Sequence, residues 1–242
     1  LEASEIESLT ALDLLRAGRL DVSAGSSVEK YYAPVLLYPV AGFVCASDRY
    51  THPDGSRFEP PADIVFPAIY AGTLRFLRII SQKPASDALD LCSGTGIGAM
   101  VLGRCSERVM ASDITARAAH FARFNCLLNR CHNVQALQGD LYEAVGDRTF
   151  DRIVAHPPYV PSFEQGQIYR DAGETGETLV RRIIEGLPIH LRPGGTFYCV
   201  SAGWDADDRL FEQRARTWLG EHQQEFDVIF ALSSEMSPCK LA

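Results

Sequence analysis

From residue 87 onward, short apolar runs alternate with longer stretches whose apolar residues recur every three or four positions. "ALDL" reads as a strand, and "GAMVLGRC", after a glycine-rich turn, reads as a helix. "RVMAS" is a strand, "TARAAHFARFNCLLNR" a helix, and "VQALQ" and "FDRIVA" are strands. "TLVRRIIEGLPIHL" is mostly helix, "GTFYCVS" a strand, "RLFEQRARTWLG" a helix and "FDVIFALS" a sixth strand. Strands separated by helices in this way predict a parallel sheet covered on both faces.

The pattern before residue 87 is less regular. Ile6, Leu9, Leu12, Leu14 and Leu15 suggest a helix, and "DVSAGSS" then turns small and polar. Residues 31–62 read as short strands and turns, dense in aromatics and prolines, which suits a loop-rich cover over a site. Residues 63–80 have helical apolar spacing after Pro67. The expected organisation is an N-terminal accessory or cover segment over 1–62 and an α/β domain over 63–242. A chain of 242 residues is ample for one core and short for two full-sized domains. No internal repeat or low-complexity tract interrupts it.

Composition narrows the class. The net charge of −8 argues against a surface built for duplex nucleic acid, which is usually basic. No apolar run approaches the roughly 20 residues that span a membrane. The 7 cysteines (45, 92, 105, 126, 131, 199 and 239) form no regular framework, which points to buried thiols and a cytoplasmic setting. Cys126 and Cys131 have no histidine pair at zinc spacing, so no metal is expected. The chain opens at Leu1 rather than methionine, which suits a segment of something longer.

In an open α/β sheet, ligands bind beyond the carboxyl ends of the strands. Those ends carry Asp90, Asp113, Asp140 and His156. The turn "DLCSGTGIGA" carries Gly94, Gly96 and Gly98, which let the backbone turn tightly and approach a ligand. Gly94-x-Gly96-x-x-Ala99 also fits a dinucleotide fingerprint, but that match alone is weak. A dinucleotide would put its pyrophosphate at this helix start, where Asp90 is repulsive. A cationic nucleoside such as S-adenosylmethionine suits an acidic strand end. Asp113, 17 residues after Gly96, can accept from both ribose hydroxyls, and Asp140 from an adenine amino group.

The fourth strand runs into "AHPPYVP". Together "ALDLCSGTGIGA", "ASDITARAAHFARFNCLLN", "LQGDLYEAV" and "FDRIVAHPPYVP" resemble the successive motifs of class I S-adenosylmethionine-dependent methyltransferases. They are most similar to the methyltransferase small domain group, which includes release-factor glutamine and ribosomal-RNA guanine-N2 methyltransferases. "YRDAGETGETLVRRIIEGLPIHLRPGGTFY" resembles the segment that follows in these enzymes. The likeness runs over roughly residues 58–232. It implies a Rossmann-like sandwich with a mostly parallel seven-stranded central sheet, the last strand antiparallel. "EMSPCKLA" is too short and polar for the seventh strand, so the expectation is a chain that continues. The resemblance also implies cofactor contacts from Asp90, Cys92, Gly94, Thr95, Gly96, Asp113, Ile114, Gly139, Asp140, Leu141 and His156, with the Gly94–Gly98 loop at the methionine part. It implies an acceptor site at His156, Pro157, Pro158 and Tyr159.

That family carries asparagine where this chain has His156. There the asparagine oxygen and the first proline's carbonyl orient a planar nitrogen, whose delocalised lone pair makes it a poor nucleophile. The prolines stiffen the elbow and the aromatic offers a face. A neutral imidazole can still accept one N–H, or act as a base toward a hydroxyl or thiol, or be inert. The expected reaction is N-methylation of a planar amide or exocyclic amine without metal. The acceptor is a protein or small molecule in preference to RNA. Two alternatives stay open: a non-catalytic S-adenosylmethionine-binding module and a nicotinamide-dependent oxidoreductase. Lesser candidates are Arg170 and Asp171 on the substrate side, with Thr175 or Thr178 as helix cap. Phe58, Phe66 with Pro67, and Tyr50 are placed near the methionine end or in the core. Arg117, Arg123 and Arg130 are expected on one solvated helix face.

Overall fold

The computed structural model describes residues 2–11, 15–23, 26–52, 55–161, 170, 172–173, 175–206 and 209–233. Helix α1 (Ala3–Ala11) opens the chain, so the predicted positions Leu12 and Leu14 lie outside the described residues. Two antiparallel hairpins follow, β1 (Arg16–Ser23) with β2 (Ser26–Tyr32), and β3 (Val35–Val40) with β4 (Phe43–Asp48). The polar "DVSAGSS" region therefore contributes the end of β1 and the start of β2, and its residues 24 and 25 lie outside the described residues. Helix α2 begins only at Ala71 and ends at Ile79. Residues 64–67, ahead of a turn over 68–70, are tied to the hairpin instead. The Asp48 N–H donates to the Val65 carbonyl, the Val65 N–H to Asp48 Oδ2, and the Ala68 N–H to Tyr38 Oη at 2.8 Å.

The central sheet contains β5 (Ala85–Leu91), β6 (Ser106–Asp113), β7 (Val134–Gln138), β8 (Phe150–Ala155) and β9 (Leu191–Cys199). All neighbours are parallel, in the order β7-β6-β5-β8-β9. Between them lie α3 (Ile97–Leu102), α4 (Ala116–Leu128), a 3₁₀ turn (Leu141–Val145) and α5 (Thr178–His190); α6 (Phe211–Thr217) follows β9. The chain builds outward from β5 to β7, then returns to place β8 on the other side of β5. The strand order reverses at the β5/β8 boundary, which is where such sheets leave a crevice.

Side chains alternate across the sheet with a period of two. Ala88, Val109, Ala111 and Val154 face a cluster with α2 and α3, through Phe76, Ile97 and Met100. Leu89, Leu91, Met110, Ile153 and Ala155 face the opposite cluster, with Ile183 and Leu187 of α5. The same alternation sends Asp90, two residues beyond Ala88, toward α3.

The sheet departs from one expectation at the described residues, where 226–233 form no strand. Five strands, not seven, are paired among the described residues. Residues 226–233, read as the sixth strand, are not part of any ladder. Phe226 and Val228 pack onto the α5-side cluster, which leaves Ile229 and Leu232 exposed. A strand needs a neighbouring edge to satisfy its N–H and C=O groups, and apolar content alone does not provide one. The seventh-strand candidate, residues 235–242, lies outside the described residues, as does Cys239. Arg130 falls past the end of α4, at a φ of +58°, so it does not share a helix face with Arg117 and Arg123.

Gly186 inside α5 shows how tightly the α5 side is packed. A Cβ there would lie 2.3 Å from the ring of Tyr142, which stacks on His190 and donates its hydroxyl hydrogen to the Ile183 carbonyl. Alanine is worth about 1 kcal/mol over glycine in a helix. Overpacking costs about 1–3 kcal/mol. Gly186→Ala should therefore destabilise the protein in urea denaturation. A stabilised variant would show that the Tyr142 ring moves aside freely.

Candidate active site

Asp90 is almost fully buried, 2% exposed, and its Oδ2 accepts the Ala99 N–H of α3 at 2.8 Å. Gly98 leaves room for this carboxylate, since a Cβ at 98 would come within 2.7 Å of Oδ2. Burial is the main force on this group and raises its pKa from the ordinary aspartate value to about 7. The Ala99 N–H opposes the shift, and Asp113 adds to it.

The loop after β5 is wound through left-handed backbone, with φ of +57° at Cys92, +52° at Gly94 and +78° at Gly96. Its polar groups are held one by one. The Ser93 N–H donates to the Ser112 carbonyl, the Gly94 N–H to Asp113 Oδ2 at 2.9 Å, and the Gly96 N–H to the Ser93 carbonyl. Gly96 also touches α4, where a Cβ would lie 2.9 Å from that of Ala122.

Asp113 closes β6. Its Oδ1 also accepts from the Thr115 N–H, so this carboxylate organises both the loop and the start of α4. Burial raises its pKa as well, opposed by the Gly94 and Thr115 N–H groups. Asp140 lies on the rim and pairs with Arg182 of α5 at 2.9 Å. Sequence reading did not single out Arg182. Its position at i+4 from Thr178 on an amphipathic helix carries no signal of a partner on another strand end.

His156 follows β8 directly. Its ring stacks on Phe76 of α2 at 5.3 Å and 17°, and is tilted against Tyr159 at 5.8 Å. Burial pushes its pKa down to about 4, so the ring is neutral near pH 7. Its Nε2 is buried and makes no hydrogen bond. Gly72 of α2 lies over the pair, where a Cβ would be 3.3 Å from Tyr159 Oη and 3.6 Å from Nε2. Pro157 is fully buried. The elbow is closed from behind by Gly176, whose φ of +73° and missing side chain admit the Tyr159 carbonyl. Val160 then bridges Arg170 and Ala172 through backbone hydrogen bonds.

These elements surround one cavity of about 410 Å³ beyond the carboxyl ends of the strands. It is lined by Asp90, Cys92, Gly94, Thr95, Asp113, Ile114, Asp140, Leu141, His156, Pro157, Pro158 and Tyr159. Gly96 and Gly139 do not line it. Gly96 is turned to α4, and Gly139 lies against Ala144, 2.7 Å from where its Cβ would be. Phe66, Pro67 and Arg170 are on its wall. Phe58 instead meets His52, and Tyr50 packs on Phe66 and Tyr70. Thr175 accepts the Glu177 N–H before α5, and Asp171 lies outside the described residues. A larger cavity, about 600 Å³, opens at the amino ends of the strands. Arg108 and Arg192 on its wall already pair with Asp87 and Asp151, and it lies at the end of the sheet opposite the strand ends where ligands bind.

Two features of the smaller cavity call for a ligand. Ser93 Oγ and His156 Nε2 are buried without partners on its wall. Asp90 is a buried carboxylate and Asp113 a half-buried one, and the carboxylate Arg182 reaches is Asp140. A cation with hydrogen-bonding hydroxyls fits this set of groups, and a pyrophosphate does not. Among the described residues no cluster of three metal-ligating side chains occurs, and no helix is long and apolar enough to cross a membrane.

Comparison with known proteins agrees with this geometry. The profile of the methyltransferase small domain matches residues 67–228. A release factor glutamine methyltransferase of Xylella fastidiosa is 35% identical over 126 residues, covering 46% of this chain and 46% of that protein. A ribosomal protein uL3 glutamine methyltransferase of Bradyrhizobium diazoefficiens is 28% identical over 162 residues, covering 61% of this chain and 51% of the relative. A Methanocaldococcus jannaschii protein designated a protein N5-glutamine methyltransferase is 31% identical over 151 residues, covering 60% of this chain and 70% of its own length. The chain spans about half the length of the first curated relatives it matches.

Burial of Asp90 has a signed consequence for stability. Its pKa is about 7 when folded and about 3.9 when unfolded. The folded state therefore binds the extra proton between these values, and stability falls as pH rises from about 4 to about 7. Asp90→Asn keeps an oxygen for Ala99 and removes the buried charge. It should stabilise the protein at pH 8 by up to about 4 kcal/mol, since each pKa unit between about 3.9 and about 7 is worth about 1.4 kcal/mol, and lose most of that advantage by pH 4.5, measured by urea denaturation. A pH-independent loss of stability would show that burial does not dominate at this carboxyl.

Proposed function

This chain belongs to the methyltransferase small domain family, and from that premise we propose that it moves a methyl group from S-adenosylmethionine to a planar nitrogen, with a protein amide as acceptor. The observation that carries the reading is the arrangement of three acids at three adjacent strand ends, facing a Pro-Pro-Tyr elbow at the fourth, around one cavity. The names of the relatives support protein glutamine as the acceptor class.

When bound, the cofactor supplies a methyl on a cationic sulfur; a C–N bond forms as the C–S bond breaks, leaving a thioether. The chain's own residues do the rest. Asp90 and the Cys92–Gly98 loop hold the methionine part, with the carboxylate facing positive charge. Asp113 accepts from the ribose hydroxyls, using lone pairs not taken by Gly94 and Thr115. Ile114 and Leu141 flank the base, and Asp140 accepts from its amino edge. Pro157, Pro158 and Tyr159 give a stiff wall with an aromatic face against which a flat amide lies. Phe66, Pro67 and Phe76 keep water away from the reacting atoms.

His156 acts in this reading as a hydrogen-bond partner. An imidazole with a pKa of about 4 is too weak a base to hold the proton that the nitrogen sheds. That proton goes to solvent after transfer. A neutral Nε2 with no partner can accept one N–H from the acceptor, the part that asparagine plays in the family motif. Its stacking on Phe76 fixes the ring plane. The reading also extends to organisation: residues 1–62 form a cover segment and residues 63–242 the methyltransferase unit.

The test is transfer of tritiated methyl from S-adenosylmethionine into protein, RNA and small-molecule fractions of a lysate from the source cells. Label should enter the protein fraction as N5-methylglutamine. Asp113→Ala should weaken cofactor affinity at least tenfold, since a hydrogen bond to a charged group is worth about 1.5–3 kcal/mol. Label confined to RNA or small molecules would remove the protein acceptor. Tight NADH binding without S-adenosylmethionine binding would replace the reaction class.

A second prediction concerns His156. Its lowered pKa means that the rate should show no His156 inflection between pH 5.5 and 8. His156→Asn should keep transfer within about tenfold, because one general-base contribution is typically 10²–10⁴-fold and none is expected here. A loss beyond 100-fold in the asparagine variant, with cofactor binding intact, would make His156 a base after all.

A further inference from the structure

Helix α4 and strand β4 are joined by a pair of side-chain amides. Asn125 and Asn129 lie four apart on α4 and so share a face. Val44 and Ala46 lie two apart on β4 and so turn their peptide groups to the same edge. Four helical residues advance about 6.0 Å and two strand residues about 6.8 Å, so each amide meets a successive peptide group. Asn129 Oδ1 accepts the Val44 N–H at 2.9 Å, and its Nδ2 donates to the Val44 carbonyl at 2.7 Å. Asn125 Oδ1 accepts the Ala46 N–H at 2.7 Å, and its Nδ2 donates to the Ala46 carbonyl at 2.9 Å. The two amides take the place of a neighbouring strand along the edge of β4 that β3 does not cover.

Asn125 has a further contact that Asn129 lacks. Its Nδ2 also donates to the Thr95 carbonyl at 2.9 Å. The next N–H along, that of Gly96, donates to the Ser93 carbonyl at 2.7 Å. The Thr95–Gly96 peptide is thus fixed at both polar ends. This matters because the loop is strained: Cys92, a residue with a Cβ, holds a φ of +57° ahead of two glycines, Gly94 and Gly96, that are also left-handed. Such backbone persists only where its surroundings over-determine it. Asp113 fixes Gly94, and Asn125 fixes Thr95. Asn125 is wholly buried, with no water to take over if it is lost. Asn129 bonds to Val44, to the Asn125 carbonyl and to Met100 Sδ, and to no atom of the loop.

We propose that Asn125 is a positioning residue for the cofactor loop, and that through it the β3–β4 hairpin is a working part of the cofactor site rather than a separate cover. This rests on the reading of the cavity as an S-adenosylmethionine site. Order in the loop and docking of β4 share one side chain, so each stabilises the other.

The test compares Asn125→Ser with Asn129→Ala. Both should lower the melting temperature, because both break a rung to β4. Only Asn125→Ser removes the donor to Thr95. Calorimetric affinity for S-adenosylhomocysteine at 15 °C should fall at least tenfold in Asn125→Ser and stay within twofold in Asn129→Ala. A purely structural role would lower both melting temperatures and change neither affinity. Amide hydrogen exchange in the unmodified protein provides an arm that needs no variant, and it decides the matter if Asn125→Ser does not fold. Saturating S-adenosylhomocysteine should slow exchange of the Ala46 N–H at least threefold. Unmodified protein that binds the ligand, together with equal affinity in Asn125→Ser or unchanged Ala46 exchange, overturns the coupling and leaves the methyltransferase reading intact. Unmodified protein that binds no ligand overturns both.

Discussion

Asp90 is buried on the wall of the cavity, where it accepts a hydrogen bond from Ala99 and has no salt-bridge partner among the described residues, and much of the cavity is arranged around that fact. Gly98 has no side chain so that α3 can approach the carboxylate. The loop between Asp90 and α3 must then turn in a few residues, and it does so through left-handed backbone. That backbone needs outside anchors, which Asp113 and Asn125 provide. A second acid is therefore drawn close to the first, and each disfavours ionisation of the other. Burial of Asp90 carries an electrostatic cost that a cationic ligand would offset.

The acceptor side is built on a different principle. There the polar group is neutral and under-bonded rather than charged. His156 is held flat by Phe76, kept unprotonated by burial, and left with an unpartnered Nε2. Its depressed pKa also has a sign for stability. The unfolded chain takes up a proton near pH 6.5 that the folded one refuses until about pH 4, so His156 stabilises the fold fully above pH 6.5 and progressively less below it. Asp90 and His156 thus respond to pH in opposite directions. Charge recognition on one side and neutral hydrogen bonding on the other suit a reaction between a cation and an amide.

Much of this was readable in the sequence. The runs that became β5 to β9 are short, apolar and bounded by turn residues, and their order predicted a parallel sheet. Asp90, Asp113 and Asp140 stood out because strand ends are where ligands bind. The sequence was silent where partners are remote. Nothing near Asn125 says that its amide will meet Ala46, 79 residues away, and nothing near Arg182 says that it will meet Asp140. Residues 226–233 failed for a related reason: their pattern is that of a strand, but pairing depends on an edge that local pattern does not contain. Gly96 and Gly139 match their motifs, yet their spacing could not tell a glycine that admits a ligand from one that admits a helix or its own chain.

The most direct test of the central claim, that the buried Asp90 carboxylate faces a cation when the site is filled, is calorimetric titration of S-adenosylmethionine in buffers of different ionisation enthalpy between pH 5.5 and 8. Binding should be tightest above pH 7, release close to one proton near pH 5.5 and progressively less toward pH 8, and weaken up to about tenfold per unit as the pH falls, because Asp90 must lose its proton to face the ligand. Binding that is independent of pH and releases no proton would contradict the account, since the acids would then be spectators to the site they line.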